Sequence, residues 1–181
     1  MPYRRLFTFV EGNDDERFFN KIVVPVLKEK FDDVRLVQYA QMKKERIRSY
    51  IRSIVSAGWD YVYVTDMDDS PCVTAKKRQV QNEFPEIDPQ RIAIVIREIE
   101  SWYLAGLSLN KARELKLGKL PKNTDGVTKE HLSSMIPRNS SRVNFMIGLL
   151  DNFSLETAKR RNKSFKYFFE KILSLKKITE D

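Results

Sequence analysis

The chain has 181 residues, of which 41% are hydrophobic and 32% charged, and its formal net charge at pH 7 is +8. This composition excludes a disordered or fibrous protein and predicts one medium globular domain, or a domain with a small appendage. There is no apolar run of the roughly 18 residues that span a membrane and no signal-peptide core. The only cysteine, Cys72, excludes an intramolecular disulfide. We therefore expect a cytoplasmic protein with no membrane partner.

The first predicted strand, residues 6–10, is a run of aromatic and β-branched residues that ends directly before Glu11 and Gly12. A helix is predicted to follow, because the acids at residues 14–16 suit a first helical turn. Pro25 is expected to kink or divide that helix just before it, since proline lacks the amide hydrogen that a helix interior needs. A glutamate at the carboxyl end of a parallel strand lies where open α/β sheets bind ligands.

Strands and helices continue to alternate as far as residue 96. Further strands are predicted at residues 34–37, 61–65 and 92–96, and helices at about 47–57, closed by Gly58, and at about 74–84. Connections of this length permit crossovers, and the last strand is as apolar as a strand buried on both faces. The predicted fold is therefore α/β, with a mainly parallel, Rossmann-like sheet of four strands flanked by helices.

Residues 106–181 are predicted to form a basic helical extension of the core made by residues 1–105. Helices are predicted at about 129–135, at about 142–150 and from Ser164, the expected N-cap, onward. Basic residues outnumber acidic ones 16 to 8 in this extension, whereas residues 1–105 carry 17 of each. Such an excess is typical of proteins that bind a polyanion, although lysine-rich helices are also common on soluble surfaces.

Five basic residues are candidate nucleic-acid contacts. Lys76 and Lys77 lie just beyond the third strand, and Arg160, Arg161 and Lys163 lie around the start of the last predicted helix. For Lys76 and Lys77, a solvent-exposed helix face is the simpler interpretation. The basic residues together predict nucleic acid as a partner.

Acidic side chains follow three of the four predicted strands. They form three pairs: Glu11 with Asp15, Asp66 with Asp68, and Glu98 with Glu100. Because the carboxyl ends of parallel strands share one edge of a sheet, these side chains are expected to converge. Several ionised carboxylates at close range need a counter-charge, and a hard divalent cation such as Mg²⁺ or Mn²⁺ is the simplest one. The six acids are therefore candidate metal ligands.

Other site chemistries find little support in the sequence. His131 and Cys72 are the only residues of their kinds, which excludes a histidine and cysteine zinc site and argues against a Ser-His-Asp or Cys-His mechanism. Gly12 belongs neither to a dinucleotide-binding fingerprint nor to a P-loop. A phosphatase that uses Asp66 as a nucleophile stays open, although haloacid-dehalogenase-type enzymes carry this Asp-x-Asp pair after their first strand rather than their third.

The strand that precedes Glu11 and Gly12, together with Asp66-Met67-Asp68 after a later strand, resembles the TOPRIM fold of topoisomerases, DnaG-type primases and OLD-family nucleases. The string VEGNDD at residues 10–15 is closest to the OLD-nuclease form, whose second acid, here Asp15, stands four residues after the glutamate. The string VIREIESWYL at residues 95–104 resembles small stand-alone TOPRIM-like proteins of largely uncharacterised function. The resemblance covers residues 5–105 well and the tail loosely.

The resemblance implies a nuclease, or a related phosphodiester-processing enzyme, that uses one or two Mg²⁺ or Mn²⁺ ions. Its catalytic residues would be Glu11, Asp66 and Asp68. One ion would be held by Glu11, Asp15 and Asp66, and a second by Asp68 with Glu98 or Glu100. No ATPase segment accompanies this part of the chain, so an ATPase would be a separate partner protein. The alternative is a nucleic-acid- or partner-binding module with a degenerate or regulatory metal site.

Overall fold

The structure is a computed structural model, and it describes residues 3–174. The sheet has four strands, which are β1 Arg5–Val10, β2 Asp33–Gln38, β3 Asp60–Asp66 and β4 Ile92–Val95. The strands are parallel and lie in the order β2-β1-β3-β4. The predicted α/β class, with a parallel four-stranded sheet flanked by helices, is confirmed.

β1 lies in the middle of the sheet, between β2 and β3. Arg5 is opposite Asp33 in its register with β2, and Leu6 is opposite Asp60 in its register with β3. β1 and β3 are almost completely buried, which explains their runs of aromatic and β-branched residues. β2 lies at an edge of the sheet and is only partly buried.

The described residues form two compact units. The first contains residues 3–65, 70–94 and 168–174, and the second contains residues 66–69 and 95–167. The predicted domains, residues 1–105 and 106–181, stay a prediction. Each compact unit contains residues from both of them.

The early helices follow the predicted alternation with the strands. They are α1 Asn13–Phe18, α2 Val24–Leu27, α3 Lys44–Ser56 and α4 Val73–Glu83. α3 packs on β1 through Tyr50, whose ring makes edge contacts with Phe7 and Phe9, with 5.7 Å between ring centroids in each pair. α3 is followed, as predicted, by Gly58 at φ 66°, a backbone conformation that glycine adopts without strain.

The predicted division of the first helix before Pro25 is confirmed. A π-helical turn, Phe19–Val23, separates α1 from α2. The amide of Val24 donates to the carbonyl of Phe19, five residues earlier. Because Pro25 has no amide hydrogen, the chain changes its hydrogen-bond register immediately before it.

The helices after β4 are short, with six to ten residues each. They are α5 Glu100–Ala105, α6 Leu109–Glu114, α7 Lys129–Ser134, α8 Arg142–Asp151, α9 Leu155–Arg161 and α10 Lys163–Glu170. α7, α8 and α10 confirm the three predicted helices. α5, α6 and α9 have six or seven residues and were not predicted, although α7, with six, was. Within residues 3–174, no helix has the length and apolarity needed to cross a membrane.

The prediction that Ser164 caps the last helix is wrong, since Asn162 takes that role. The Asn162 side-chain oxygen accepts from the Phe165 amide at 2.9 Å and from the Ser164 hydroxyl at 2.8 Å. Ser164 Oγ in turn accepts from the backbone amide of Ile96 at 3.1 Å and from the indole of Trp102 at 2.9 Å. Ser164 therefore anchors the segment after β4 instead of capping a helix.

Candidate active site at the strand ends

The end of β1 leads into α1 through Glu11 and Gly12, as predicted. Gly12 is the N-cap in an extended conformation, and its amide donates to the Asp15 carboxylate at 3.2 Å. Asp15 is buried, with 6% of its surface exposed. A Cβ on Gly12 would meet no atom within 4 Å, so the space beside it is open. Asp15 therefore shapes the start of α1, while Glu11 is half buried next to open space.

Two stacked tyrosines in the first unit, Tyr63 buried and Tyr39 half buried, lie within range of the charge of Glu11. Tyr39 and Tyr63 stack with 4.7 Å between ring centroids, and the Tyr39 hydroxyl donates to the Val64 carbonyl at 3.0 Å. Burial raises the pKa of both phenols well above the usual value, and the negative charge of Glu11 raises both further. Both phenols therefore stay uncharged at neutral pH. The sequence analysis missed Tyr39, and its only local signal was its position directly after β2.

The segments that follow β3 and β4 run side by side in the second unit. The Met67 amide donates to the Val95 carbonyl at 2.8 Å, and the Asp68 amide to the Arg97 carbonyl at 3.3 Å. Asp68 and Arg97 both have positive φ, 48° and 63°, which is uncommon for residues other than glycine. Backbone strain of this kind is concentrated at active sites, where the surrounding structure enforces it. These paired turns present Asp68, which is exposed, and Glu98, which is half buried.

Replacing Asp68 with glycine is expected to stabilise the fold by about 1 kcal/mol, because glycine adopts positive φ without strain. The same change removes a candidate catalytic carboxylate, so metal-dependent cleavage should fall even though stability rises. Arg97→Gly is the matched control, since it releases the same kind of strain and removes no carboxylate. Urea unfolding and a cleavage assay on both variants check this. If Asp68→Gly cleaves as fast as the wild type, Asp68 has no catalytic role.

Glu98 and Glu100, the two acids after β4, have different surroundings. α5 begins at Glu100, so the strand-like alternation that would place both carboxylates on one side does not continue. One Glu98 oxygen accepts from the Lys129 amide at 2.5 Å. Glu100 is buried and accepts from the Arg142 guanidinium at 2.5 Å. Burial raises the pKa of Glu100, the bond from Arg142 lowers it in part, and the charge of Glu98 raises it.

Replacing Arg142 with methionine is expected to cost about 3 kcal/mol of stability at pH 7, because it leaves the Glu100 carboxylate buried without its cation. Without Arg142 the folded-state pKa of Glu100 rises further above its unfolded value. The native state then holds a proton that the unfolded state releases, so stability falls as the pH rises through that window. The loss should therefore be small below about pH 4.5 and full at neutral pH.

The measurement is urea unfolding of wild type and Arg142→Met at several pH values between 4 and 8. The double variant Glu100→Gln with Arg142→Met is the control, because a neutral amide in place of Glu100 removes the pH dependence. An equal loss at both ends of the range would contradict the assignment. The sequence analysis missed Arg142 because it lies 42 residues from Glu100.

Each of the carboxylates of Glu11, Asp66 and Asp68 could bind an ion that keeps most of its water ligands. Within the described part of the chain, no three acidic, histidine or cysteine side chains are arranged to hold a metal ion. Glu100 does not suit a ligand while Arg142 is bound to it. Glu11 and Asp66 are half buried and Asp68 is exposed, so all three can be reached from solvent. Mg²⁺ commonly binds through one or two carboxylates and keeps several waters, which is the kind of donor set that these acids offer.

The basic residues that were predicted to bind nucleic acid divide into two groups. Arg160 and Lys163 are exposed. Arg161 is partly buried and donates to the carbonyls of Leu107 at 2.5 Å and Pro121 at 2.6 Å, so its charge holds backbone together. Lys76 is 8% exposed, and Lys77 donates to the Pro89 carbonyl at 3.2 Å. The expectation of a solvent-exposed face is therefore wrong for Lys76.

No protein family, curated protein or solved structure was found to match this chain. The function is therefore inferred from the site residues alone.

His131, which was predicted to lie on a helix surface, is exposed on α7.

Proposed function

We propose that this protein is a metal-dependent phosphodiester hydrolase that acts on nucleic acid, with a site of the TOPRIM type. The observation that carries the proposal is the placement of Glu11 directly after β1 and of Asp66 at the end of β3, the neighbouring parallel strand of the sheet. In open α/β sheets, ligands bind beyond the carboxyl ends of the strands.

Glu11 in the first unit, and Asp66 with Asp68 in the second, would bind Mg²⁺ or Mn²⁺ through their carboxylates. When bound, such an ion supplies a Lewis acid and a water of lowered pKa. Asp15 positions Gly12 and the start of α1. The exposed cations Arg160 and Lys163 would hold phosphates of the nucleic acid.

The test is incubation of the purified protein with plasmid DNA, single-stranded DNA and RNA in Mg²⁺, in Mn²⁺ and in EDTA. Cleavage that requires the metal is expected. Absence of cleavage of all three substrates in both metals would overturn the hydrolase proposal. Turnover of a phosphomonoester, with phosphate trapped on Asp66, would instead indicate the phosphatase that the Asp-x-Asp pair left open.

A second function, a nucleic-acid-binding module with a degenerate metal site, is favoured by one observation. Glu100 pairs with Arg142, and Glu98 binds the Lys129 amide, so both predicted ligands after β4 are engaged within the second unit. Salt-sensitive binding of nucleic acid without cleavage in Mg²⁺ or Mn²⁺ would support this function over the first.

A further inference from the structure

The second unit contains a cavity of about 690 Å³ that none of the strand-end acids lines. Its apolar wall is formed by Leu104, Leu120, Val127 and Met135. The first three are nearly inaccessible to solvent, at 1%, 5% and 5% exposed. Ligand sites are typically clefts of about 300–1,000 Å³ with mostly apolar walls and a few polar groups, which this cavity matches.

The charged groups at the cavity are all basic. Lys119 and Lys122 line it and are exposed, and no aspartate or glutamate is among its lining residues. Asp125 and Glu130, the two acids adjacent in sequence to lining residues, do not line the cavity, and the Asp125 carboxylate accepts from the Lys163 amide at 2.7 Å. The cavity therefore favours an anionic ligand with an apolar body.

Two polar side chains of α7 add hydrogen-bonding groups to the lining, His131 and Ser134. His131 Nδ1 accepts from the Thr128 amide at 3.4 Å, which leaves the proton of the neutral ring on Nε2 as a donor. The Ser134 hydroxyl donates to the His131 carbonyl at 2.7 Å, so its oxygen is left as an acceptor. A donor and an acceptor beside an apolar wall suit the edge of a heteroaromatic base better than an alkyl chain.

The cavity wall is held by buried contacts, although residues 117–128 contain no helix or strand. Arg161 donates to the Pro121 carbonyl at 2.6 Å, and the Thr124 amide donates to the Arg161 carbonyl at 2.9 Å. Thr124 is completely buried, and its hydroxyl accepts from Asn162 at 3.2 Å. A wall fixed in this way is preformed for binding, which lowers the entropy cost of taking up a ligand.

We infer that this cavity binds a nucleotide, with the base against Leu104, Leu120 and Val127 and the phosphate at Lys119 and Lys122. A second hollow of about 500 Å³ shares Leu120, Pro121 and Lys122 with it and adds Arg160. The ligand is therefore either a free mononucleotide or the terminal nucleotide of a single strand whose next phosphate reaches Arg160. The inference does not depend on the proposed hydrolase activity.

The test is calorimetric titration of the full chain in EDTA with AMP, a trinucleotide and decanoate. EDTA removes divalent metal, so the strand-end acids do not contribute, and Glu11→Gln should bind the nucleotide as the wild type does. Stronger binding of AMP than of the trinucleotide would identify a free nucleotide as the ligand, and the reverse would identify a strand end. Binding of decanoate alone, or of none of the three, overturns the inference.

Gly126→Phe is the variant that blocks the cavity. Gly126 lines it, and a Cβ there meets no atom within 4 Å, so a side chain can begin at this position without a clash. Gly118→Phe is the matched control, because Gly118 also has open space around its Cβ but lines neither hollow. We expect at least about a tenfold weaker nucleotide affinity for Gly126→Phe and no change for Gly118→Phe.

Thermal unfolding of both glycine variants checks that they fold. The double variant Lys119→Ala with Lys122→Ala should weaken binding by about tenfold, and the loss should shrink at high salt. Lys166→Ala, an exposed lysine on α10, is its control. Unchanged affinity in both Gly126→Phe and the double lysine variant would place the nucleotide elsewhere and overturn the assignment.

Discussion

Replacing Glu11 with glutamine is expected to lower the rate of metal-dependent cleavage by at least about 100-fold, because it removes a charged ligand while keeping the shape of the side chain. The phenols of Tyr39 and Tyr63 cannot replace its charge, since their pKa values are raised. The folded structure should tolerate the change, because Glu11 is half buried and glutamine has nearly the same size. Higher Mg²⁺ or Mn²⁺ should restore part of the activity.

Two measurements make this result specific to the metal site. Asp66→Asn should show a loss of similar size, because Asp66 ends the strand next to β1. Glu16→Gln is the matched control: Glu16 lies on α1, accepts from the Gln38 amide at 2.5 Å and is not in the predicted ligand set. If Glu11→Gln and Glu16→Gln cleave equally fast, Glu11 is not a ligand and the proposed site is wrong.

Replacing Asn162 with leucine is expected to destabilise the protein by about 4 kcal/mol, the combined loss of a helix cap and of buried hydrogen bonds. Asn162 is 1% exposed. Its amide donates to Ser101 Oγ at 3.3 Å and Thr124 Oγ1 at 3.2 Å, and its oxygen accepts from Phe165 and Ser164. Leucine has a similar size but cannot form hydrogen bonds. The four buried groups that bond to the Asn162 side chain would therefore each lose that hydrogen bond.

Urea unfolding followed by circular dichroism measures this loss. Asn162→Asp keeps the accepting oxygen and loses the two donated bonds, so it should fall between wild type and leucine. Asn144→Leu, at an exposed position on α8, should change the unfolding free energy by no more than about 0.5 kcal/mol. A loss below about 1 kcal/mol for Asn162→Leu would show that the four contacts contribute little. Because Thr124 lies between the lining residues Asn123 and Gly126 and is held by Asn162, the variant should also weaken nucleotide binding.

The long elements of the fold could be predicted because their periodicity is local. A strand such as β4 is a run of apolar β-branched residues, and α3 repeats its apolar residues at helical spacing. The effect of Pro25 could also be predicted locally, because its missing amide hydrogen removes a hydrogen bond from the same helical turn. Short helices carry a weaker signal, so α5, α6 and α9 were missed although α7, which is no longer than these, was predicted.

The choice between Asn162 and Ser164 as N-cap shows where local information ends. Both residue types are favoured caps, and they stand two positions apart. Ser164 is engaged by Ile96 and Trp102, more than 60 residues away in the chain. A contact of that kind has no local signature, so the neighbourhood of Ser164 in the sequence could not exclude it as the cap.

The sequence by itself determined the parallel α/β class and the placement of acids at or shortly after the ends of β1, β3 and β4, because strand patterns and strand ends can be recognised from neighbouring residues. Only the tertiary structure decided what surrounds each acid. It paired Glu100 with Arg142, gave Asp68 and Arg97 positive φ, and turned Arg161 toward backbone carbonyls. The physical reason is that hydrogen bonding, burial and pKa depend on groups that are far apart in the chain and meet only when it folds.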